Sequence, residues 1–504
     1  MNPFDFFTES ARRYPSRLAL EDETRKLSYF EAEHAIHCLA CRLHDAGVRS
    51  THRVGVFSPN CVEALIAALA VFRLGAVWVP VNTRNSVQQN IEYLNGCDLF
   101  GLIFHKELQS QAHEISIGIG VRLLDLDTSD GPVELTLPQR GGDSSAVCAM
   151  LSTGGTTGSP KAVVWNERMV QTMIASFWMH LPGDERSAYL AATPLTHAAG
   201  VIALCMLAKG AAVLIHRSFK AEEYMAAIEE MRVTHLFLPP TAIYGLLVHP
   251  DLILYDFSSL QAFIYSAAPM AAEKIRQAVE AFGPVMVQLY GQAEAPLMCT
   301  ILSPQDHIRA LDCNDEHLLQ SCGRSTLMVQ VEIMDESGEI LPPRQIGEVV
   351  LRSDLVMEYY YGHPKETEEV RRFGWHHTGD IGFKDEEGFV LIVDRAKDMI
   401  ISGGFNVFSS EVEAVVLAHP AVQDCAVVGK PDEKWGEAVT AVVQLKPGAS
   451  LDPENLKALC RDRLGAVKAP KAVEIWADLP RSPVGKVLKR RVRDVFWEGR
   501  ERRV

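Results

Sequence analysis

Short apolar runs alternate along this chain with stretches in which apolar residues recur every three or four positions. Val54-Gly55-Val56-Phe57 predicts a strand, Val62 to Arg73 carries the helical period, and Ala76-Val77-Trp78-Val79-Pro80-Val81 returns to strand. The alternation continues. Ala211 to Ile215, His235 to Leu238, Ala262 to Tyr265 and Val285 to Tyr290 read as strands, with helices over Ala221 to Met231 and Ala271 to Phe282. Strands and helices in turn predict α/β layering. The strands are nearly continuous in apolar character, which predicts sheets covered on both faces. After about Gly323 the elements shorten, with strands at Val329 to Met334 and Gly347 to Leu351, so a β-rich subdomain is expected there. From Asp398 a compact α+β unit follows, with strands at Cys425 to Gly429 and Val439 to Leu445. There is no internal repeat and no low-complexity segment.

Composition narrows the function. At 504 residues more than one domain is expected. A net charge of −15 argues against nucleic-acid binding. It leaves anionic substrates open, because a local group of lysines and backbone N–H groups still attracts them. The first residues, Met1-Asn2-Pro3-Phe4-Asp5, lack the basic-then-apolar order of a signal peptide, and no run approaches the ~20 apolar residues of a membrane span. A cytoplasmic protein is the expectation, with a homodimer left open. Eleven cysteines in this length do not suggest a disulfide scaffold, and the lone Cys38-Leu39-Ala40-Cys41, within a predicted helix, reads as buried free thiols. The basic run Lys489-Arg490-Arg491-Val492-Arg493 reads as a solvated helix face.

The densest chemical signal is Ser152-Thr153-Gly154-Gly155-Thr156-Thr157-Gly158-Ser159-Pro160-Lys161-Ala162, just after the apolar run Val147 to Leu151. A strand feeds a loop whose glycines free the backbone to turn N–H groups onto an anion, whose hydroxyls add donors, and whose lysine adds charge. That suits a polyphosphate. It is not a Walker A loop, which needs Gly-Lys-Ser/Thr. The run resembles the phosphate loop of the adenylate-forming superfamily, with Gly154 at a usual serine and Ala162 at a usual glycine. Tyr290-Gly291-Gln292-Ala293-Glu294, His377-Thr378-Gly379-Asp380, Asp394-Arg395-Ala396-Lys397-Asp398, Ser402-Gly403-Gly404-Phe405-Asn406 and Pro480-Arg481-Ser482-Pro483-Val484-Gly485-Lys486 resemble that superfamily's later motifs, in its order. No Gly-x-Ser-x-Gly element is present, which fits a reaction that needs charge neutralisation more than a protein nucleophile.

The resemblance implies an α/β multidomain fold: a large N-terminal domain (1–394) of two stacked α/β sheets plus a β-barrel subdomain, a hinge (395–397), and a small mobile α+β C-terminal domain (398–504). It implies ATP, Mg²⁺ and coenzyme A as co-substrates or cofactors. A carboxylate would attack the α-phosphate of ATP, and a thiol would take the acyl group from the adenylate. Thr153, Gly154, Gly155, Thr156, Thr157, Gly158 and Lys161 would hold the β- and γ-phosphates. Tyr290 would stack on adenine, with Ala267, Ala268 and Pro269 on the other face and Gly291, Gln292 and Ala293 completing the nucleotide site. Glu294 and Thr156 would hold Mg²⁺, while Asp380 and Arg395 would take the ribose. Lys486 would stabilise charge at the α-phosphate, and His197, in Pro194-Leu195-Thr196-His197, joins it and Glu294 as a catalytic candidate. Rotation about Lys397 would bring Gly403 and Gly404 to a pantetheine tunnel. Ala293 replaces a usual threonine. The lost hydrogen bond to a charged group is worth roughly 1.5–3 kcal/mol, unless Gln292 supplies a replacement donor.

The acid is read from what is absent. No Phe-Asp element for an amino group is found near 194–197. Gly291 stands where acetate-activating relatives carry tryptophan, and Leu289 and Met270 add apolar surface, while Ser266-Ala267 narrows one wall. The expected substrate is a medium-to-long fatty acid or a bulky alicyclic or aromatic acid. Two alternatives remain: loading of a carrier-protein pantetheine, and a non-catalytic binding protein suggested by Gly154, Ala162 and Ala293.

Overall fold

Helices Val62–Arg73 and Ala198–Lys209 are apolar nearly all round and almost wholly buried. A helix of that kind must lie between layers. In the computed structural model, which describes residues 1–126, 137, 142–153, 160–432, 434–481 and 487–498, they lie between two sheets. One core cluster contains Val54, Trp78 and Leu151 of the first sheet together with Tyr189, Val213 and Ile264 of the second.

The seven-stranded sheet runs in the order Tyr359–Tyr360, Ala162–Asn166, Val147–Ser152, Val77–Val81, Arg53–Phe57, Gly101–Phe104, Arg122–Asp125. The nine-stranded sheet has a parallel centre, with Met286–Gln292, Ala262–Tyr265, His235–Leu238, Ala188–Ala191, Ala212–Ile215 and Leu18–Glu21 adjacent in that order. Antiparallel strands close both edges of this sheet and one edge of the seven-stranded sheet, whose other edge strand, Arg122–Asp125, is parallel to its neighbour. Buried β-branched and aromatic runs give the parallel strands, as their near-continuous apolar character predicts.

The β-rich subdomain is an antiparallel sheet of Gln330–Met334, Gly347–Arg352, His376–Lys384 and Val390–Arg395, with irregularities at Glu348/Val350 and Ile381/Gly382 that bend it. A fourth sheet is drawn only from residues beyond 400, with Val422–Asp432 and Gly436–Leu445 as its long hairpin, and it carries its own apolar cluster. The fold is thus a large α/β N-terminal part and a small α+β C-terminal part.

Cys38 and Cys41 are buried free thiols. The basic run is not a solvated face throughout. Lys489 pairs with Glu413 at 2.8 Å and Arg493 donates to the Lys397 carbonyl at 2.9 Å, because the helix Lys489–Trp497 packs its inner side on the C-terminal sheet. Among the described residues no helix is long and apolar enough to cross a membrane.

Candidate active site

The stem of the phosphate loop is an antiparallel pair, Val147–Ser152 with Ala162–Asn166. Where the strands part, the Thr153 N–H donates to the Lys161 carbonyl at 3.0 Å and the Lys161 N–H to Thr153 Oγ1 at 3.3 Å. The loop is therefore pinched shut at its base. Gly154, Gly155, Thr156, Thr157 and Gly158 lie outside the described residues, as does Lys486. Lys161 Nζ stands 4.9 Å from the centroid of the Tyr360 ring.

Glu294 sits in a two-residue turn between strands Met286–Gln292 and Ala295–Leu302. Three bonds hold that turn. The Trp165 indole N–H donates to the Ala293 carbonyl at 2.8 Å, the Met357 N–H to the Glu294 carbonyl at 2.7 Å, and the Tyr360 hydroxyl to Glu294 Oε1 at 2.6 Å. Trp165 lies on the strand leaving the phosphate loop. Glu358 and Tyr361 also donate to that strand, at Val164 and Ala162. Loop, turn and the segment Met357–Tyr361 thus form one hydrogen-bonded unit.

Gly291 has a backbone reason. A Cβ there would meet the Leu297 nitrogen at 2.4 Å and the Ala295 carbonyl oxygen at 2.8 Å. The missing side chain serves the hairpin, so it carries no information about pocket width. Gln292 Nε2 donates to the Thr378 carbonyl at 3.4 Å, which uses one of its two amide N–H groups.

That ribose turn is built from Thr378-Gly379-Asp380. Gly379 has φ +72°, which a glycine adopts without strain, and its N–H donates to Glu348 Oε1 at 2.9 Å. Glu348 Oε2 lies 2.7 Å from His377 Nδ1. The turn delivers a buried Asp380 whose two oxygens are taken by different partners: Tyr290 hydroxyl at 2.7 Å and Arg395 Nε at 3.1 Å. Burial and the Asp380 carboxylate both raise the Tyr290 phenol's pKa, so it stays a donor. The three residues assigned to adenine and ribose therefore touch one another. Ala267, at φ +74°, carries the strained turn Ser266-Ala267-Ala268-Pro269 at the end of strand Ala262–Tyr265, next to the Tyr290 strand.

His197 begins the helix Ala198–Lys209, and its Nε2 is 3.2 Å from Asn82 Nδ2. Burial and then Arg84 lower its pKa, which keeps the ring neutral. Leu289 and Met270, expected to add apolar surface to the acid pocket, are packed in two different core clusters. Gly403 and Gly404, at φ +61° and +80°, form a two-residue hairpin turn between Ile400–Ser402 and Phe405–Val407. That turn type demands positive φ at both positions, so these glycines have a folding reason besides any contact with a thiol arm.

The segment expected to be the hinge is tied to the Thr378-Gly379-Asp380 turn by the Arg395–Asp380 pair and by the Ala396 N–H, which donates to the Gly379 carbonyl at 2.9 Å. Asp394, one residue before Arg395, accepts from the Ser409 N–H at 2.5 Å and its hydroxyl at 2.7 Å, and Lys489 Nζ donates to the same hydroxyl at 2.7 Å. Burial and the Arg395 charge lower the pKa of Lys397.

A hard cation fits Glu294 in a specific way. Among the described residues no group of three or more His, Cys, Asp or Glu forms a metal cage. Mg²⁺ does not need one, since it commonly takes one or two carboxylates plus substrate phosphates. With Oε1 already accepting from Tyr360, Oε2 is the Glu294 oxygen better placed for a cation.

Sequence reasoning missed Tyr360, Trp165 and Glu348. The signals were faint. Tyr359-Tyr360-Tyr361 is a strand-like run in which the central ring faces opposite to its neighbours, and Glu348 lies in an otherwise apolar strand, Gly347-Glu348-Val349-Val350-Leu351.

Comparison with known proteins agrees with this geometry. Residues 7–361 match the family of AMP-binding enzymes, and residues 411–486 match the AMP-binding enzyme C-terminal domain. The chain is 40% identical over 365 residues to a medium/long-chain-fatty-acid–CoA ligase, FadD8, of Mycobacterium tuberculosis, covering 71% of this chain and 63% of that protein. It is 35% identical over 500 residues to a feruloyl-CoA synthase of an Amycolatopsis species, covering 96% and 97% of the two chains. In structure it matches the amide bond synthetase McbA of Marinactinospora thermotolerans with a TM-score of 0.88 at 31% identity, over 98% and 99% of the chains. ATP-bound MatB of Rhodopseudomonas palustris matches with a TM-score of 0.87 at 26% identity, over 99% of each. The chain belongs to the AMP-binding, adenylate-forming enzymes.

Proposed function

We propose that the chain is an AMP-forming acid–CoA ligase that activates a medium-to-long fatty acid or a bulky alicyclic or aromatic acid. One observation carries the reading. Strand Met286–Gln292 and the turn after it present Tyr290 tied to Asp380 and Arg395, and Glu294 tied to Tyr360 under Lys161. A nucleoside and its phosphates are accommodated by those two groups in sequence. The similarity to a fatty-acid ligase and a feruloyl-CoA synthase supports the acid class.

In this reading Asp380 accepts from the ribose hydroxyls, Arg395 turns from it to the sugar, and the Tyr290 ring holds adenine against Ala267-Ala268-Pro269. The phosphate loop and Lys161 take the β- and γ-phosphates, which leaves the α-phosphate exposed to the acid. Mg²⁺, when bound, neutralises phosphate charge beside Glu294. Lys486 stabilises the α-phosphate as the carboxylate oxygen bonds to phosphorus and pyrophosphate departs. His197, neutral and oriented by Asn82, lies at the acid side. The remaining 395–397 segment is the hinge between 1–394 and 398–504, and rotation about Lys397 exchanges Lys486 for Gly403-Gly404 before the thiol attacks. Such alternation is a known gating motion.

The acceptor has one competing reading, since McbA makes amides and a 30%-identical Streptomyces coeruleorubidus relative, ScoC, is a fatty acid–[acyl-carrier-protein] ligase. A panel of carboxylic acids is to be scored for ATP-dependent AMP and pyrophosphate release, with CoA, a holo carrier protein and a primary amine in parallel. Thioester with CoA alone, from an apolar acid, is the expected product. No AMP with any acid would defeat the reading.

A further inference from the structure

Tyr360 touches both Glu294 and Lys161, the two charged groups expected at the phosphates. Its hydroxyl donates to Glu294 Oε1 at 2.6 Å, and the face of its ring lies 4.9 Å from Lys161 Nζ. It is 7% exposed, and Glu294 9%. The neighbouring rings point elsewhere: Tyr359 is 39% exposed, and the Tyr361 hydroxyl donates to Asp98 at 2.6 Å. The backbone gives Tyr360 no freedom to drift. It pairs with Val163 on the strand leaving the phosphate loop, and its N–H donates to Thr367 Oγ1 at 3.0 Å.

We infer that Tyr360 is a positioning residue that fixes which Glu294 oxygen meets the metal and holds Lys161 ready for the phosphates. This rests on the proposed role of Glu294. A carboxylate beside a cation can bind through one oxygen or two. A phenol that donates to Oε1 takes one of its lone pairs and part of its charge, which favours one-oxygen ligation through Oε2, and it holds the carboxylate plane still before any nucleotide arrives. The ring does a second task. A lysine resting on an aromatic face is attracted yet not desolvated by a carboxylate, so it can leave for a phosphate without breaking an ion pair. Glu294 and Lys161 carry opposite charges on adjacent elements, and Tyr360 separates them.

The two tasks come apart by substitution. Tyr360→Phe keeps the ring and removes the hydroxyl, whereas Tyr360→Leu removes both. Binding of Mn²⁺ in the presence of ATP and the absence of acid is followed by electron paramagnetic resonance, alongside ATP binding by calorimetry and thioester formation from pre-made acyl-adenylate. Tyr360→Phe should weaken Mn²⁺ binding about tenfold, the size expected when a hydrogen bond to a charged group is lost. It should leave metal-free ATP affinity and the thioester step unchanged. Tyr360→Leu should weaken metal-free ATP as well. Glu294→Gln is the control for the underlying role. If Glu294→Gln binds Mn²⁺ like the wild type, the metal role of Glu294 is wrong and the inference falls with it. If Glu294→Gln loses Mn²⁺ but Tyr360→Phe does not, only the inference is wrong. A parallel fall of metal binding and thioester formation in Tyr360→Phe would mean a merely structural tyrosine and would also overturn it.

Discussion

Asp394 and Arg395 are consecutive residues of one strand, yet they serve opposite sides of the molecule. Side chains of neighbouring strand residues point to opposite faces. Arg395 reaches Asp380 and so faces the proposed nucleotide site of the N-terminal part. Asp394 reaches Ser409, which Lys489 also contacts, and so belongs to the C-terminal part. The two ends differ in kind. The Arg395 side chain is 41% exposed, and its pair with Asp380 is a contact a ligand can share. The Asp394 end is a closed network, with Ser409 buried and Lys489 paired to Glu413. The difference teaches what the proposed hinge at 395–397 would have to break: the Asp394–Ser409 bonds join 1–394 to 398–504 across it, whereas the Arg395–Asp380 pair faces the N-terminal part.

The comparison breaks most sharply at Lys486, which in the proposed reading the hinge would deliver to the nucleotide site. Lys486→Ala should lower adenylation by about 10²–10³-fold, the usual cost of one lost transition-state donor. Thioester formation from pre-made acyl-adenylate should survive. Equal losses in both half-reactions would remove Lys486 from the first step. Next comes the exposed anchor. Asp380→Asn keeps the shape but removes the charge facing Arg395 and the ribose. The ATP KM should rise about tenfold, as for one weakened hydrogen bond to a charged group, with the thioester step from pre-made adenylate affected less. An unchanged KM would mean that the Asp380 pair is only structural.

Most of this architecture was legible in advance, and the reasons are physical. Helix Val62–Arg73 and the strands at 53–57, 77–81 and 262–265 follow the apolar period because they are buried, and burial is what periodicity reports. The motifs around Asp380 and Arg395 singled both out, and the structure brings them to 3.1 Å. What was not legible depends on long-range pairing. Nothing local says that Tyr360 meets Glu294, 66 positions away, or that Lys489 of the basic run turns inward to Glu413. The backbone reason for Gly291 was hidden for the same cause, since the atoms that crowd its missing side chain belong to the returning strand.

The closed anchor should respond in stability before it responds in rate. Burial lowers the pKa of Lys489, but Glu413 and Asp394 more than reverse that, so the ammonium is held charged by its acidic partners. Lys489→Met leaves Glu413 without its cation in a site where burial already raises its pKa. The C-terminal part should lose about 1–3 kcal/mol, the cost of a charged partner left unsatisfied. Limited proteolysis between 395 and 410 should quicken, while the ATP KM stays constant. Adding Glu413→Gln should recover much of the loss, because the buried charge is then gone as well. If the double variant is no better than Lys489→Met alone, the Glu413 pair is not what secures this end.

The smallest effect tests the nucleotide side through its neighbour strand. His377 is tied to Glu348 and to the Arg372 carbonyl, whereas His376, one residue earlier and on the opposite face, is 3% exposed with neither ring nitrogen hydrogen-bonded. Burial first, then Arg371 and His377, lowers the His376 pKa to about 3. The folded pKa lies below the unfolded one, so the stability contribution is complete above about pH 6.5 and is lost as pH falls toward 3, where only the unfolded ring binds a proton at first. His235 and His307, each lowered to about 4 by burial, add to the same slope. The melting temperature of the N-terminal part should therefore fall between pH 6.5 and 4. His376→Leu removes an unsatisfied polar ring and its proton site together. It should flatten that slope by up to about 1.4 kcal/mol per pH unit and leave stability at pH 8 equal or higher. Its ATP KM should match the wild type, because Asp380 is positioned through Glu348 and Thr378. A steeper acid slope, or a raised ATP KM, would show that His376 supports the ribose turn after all.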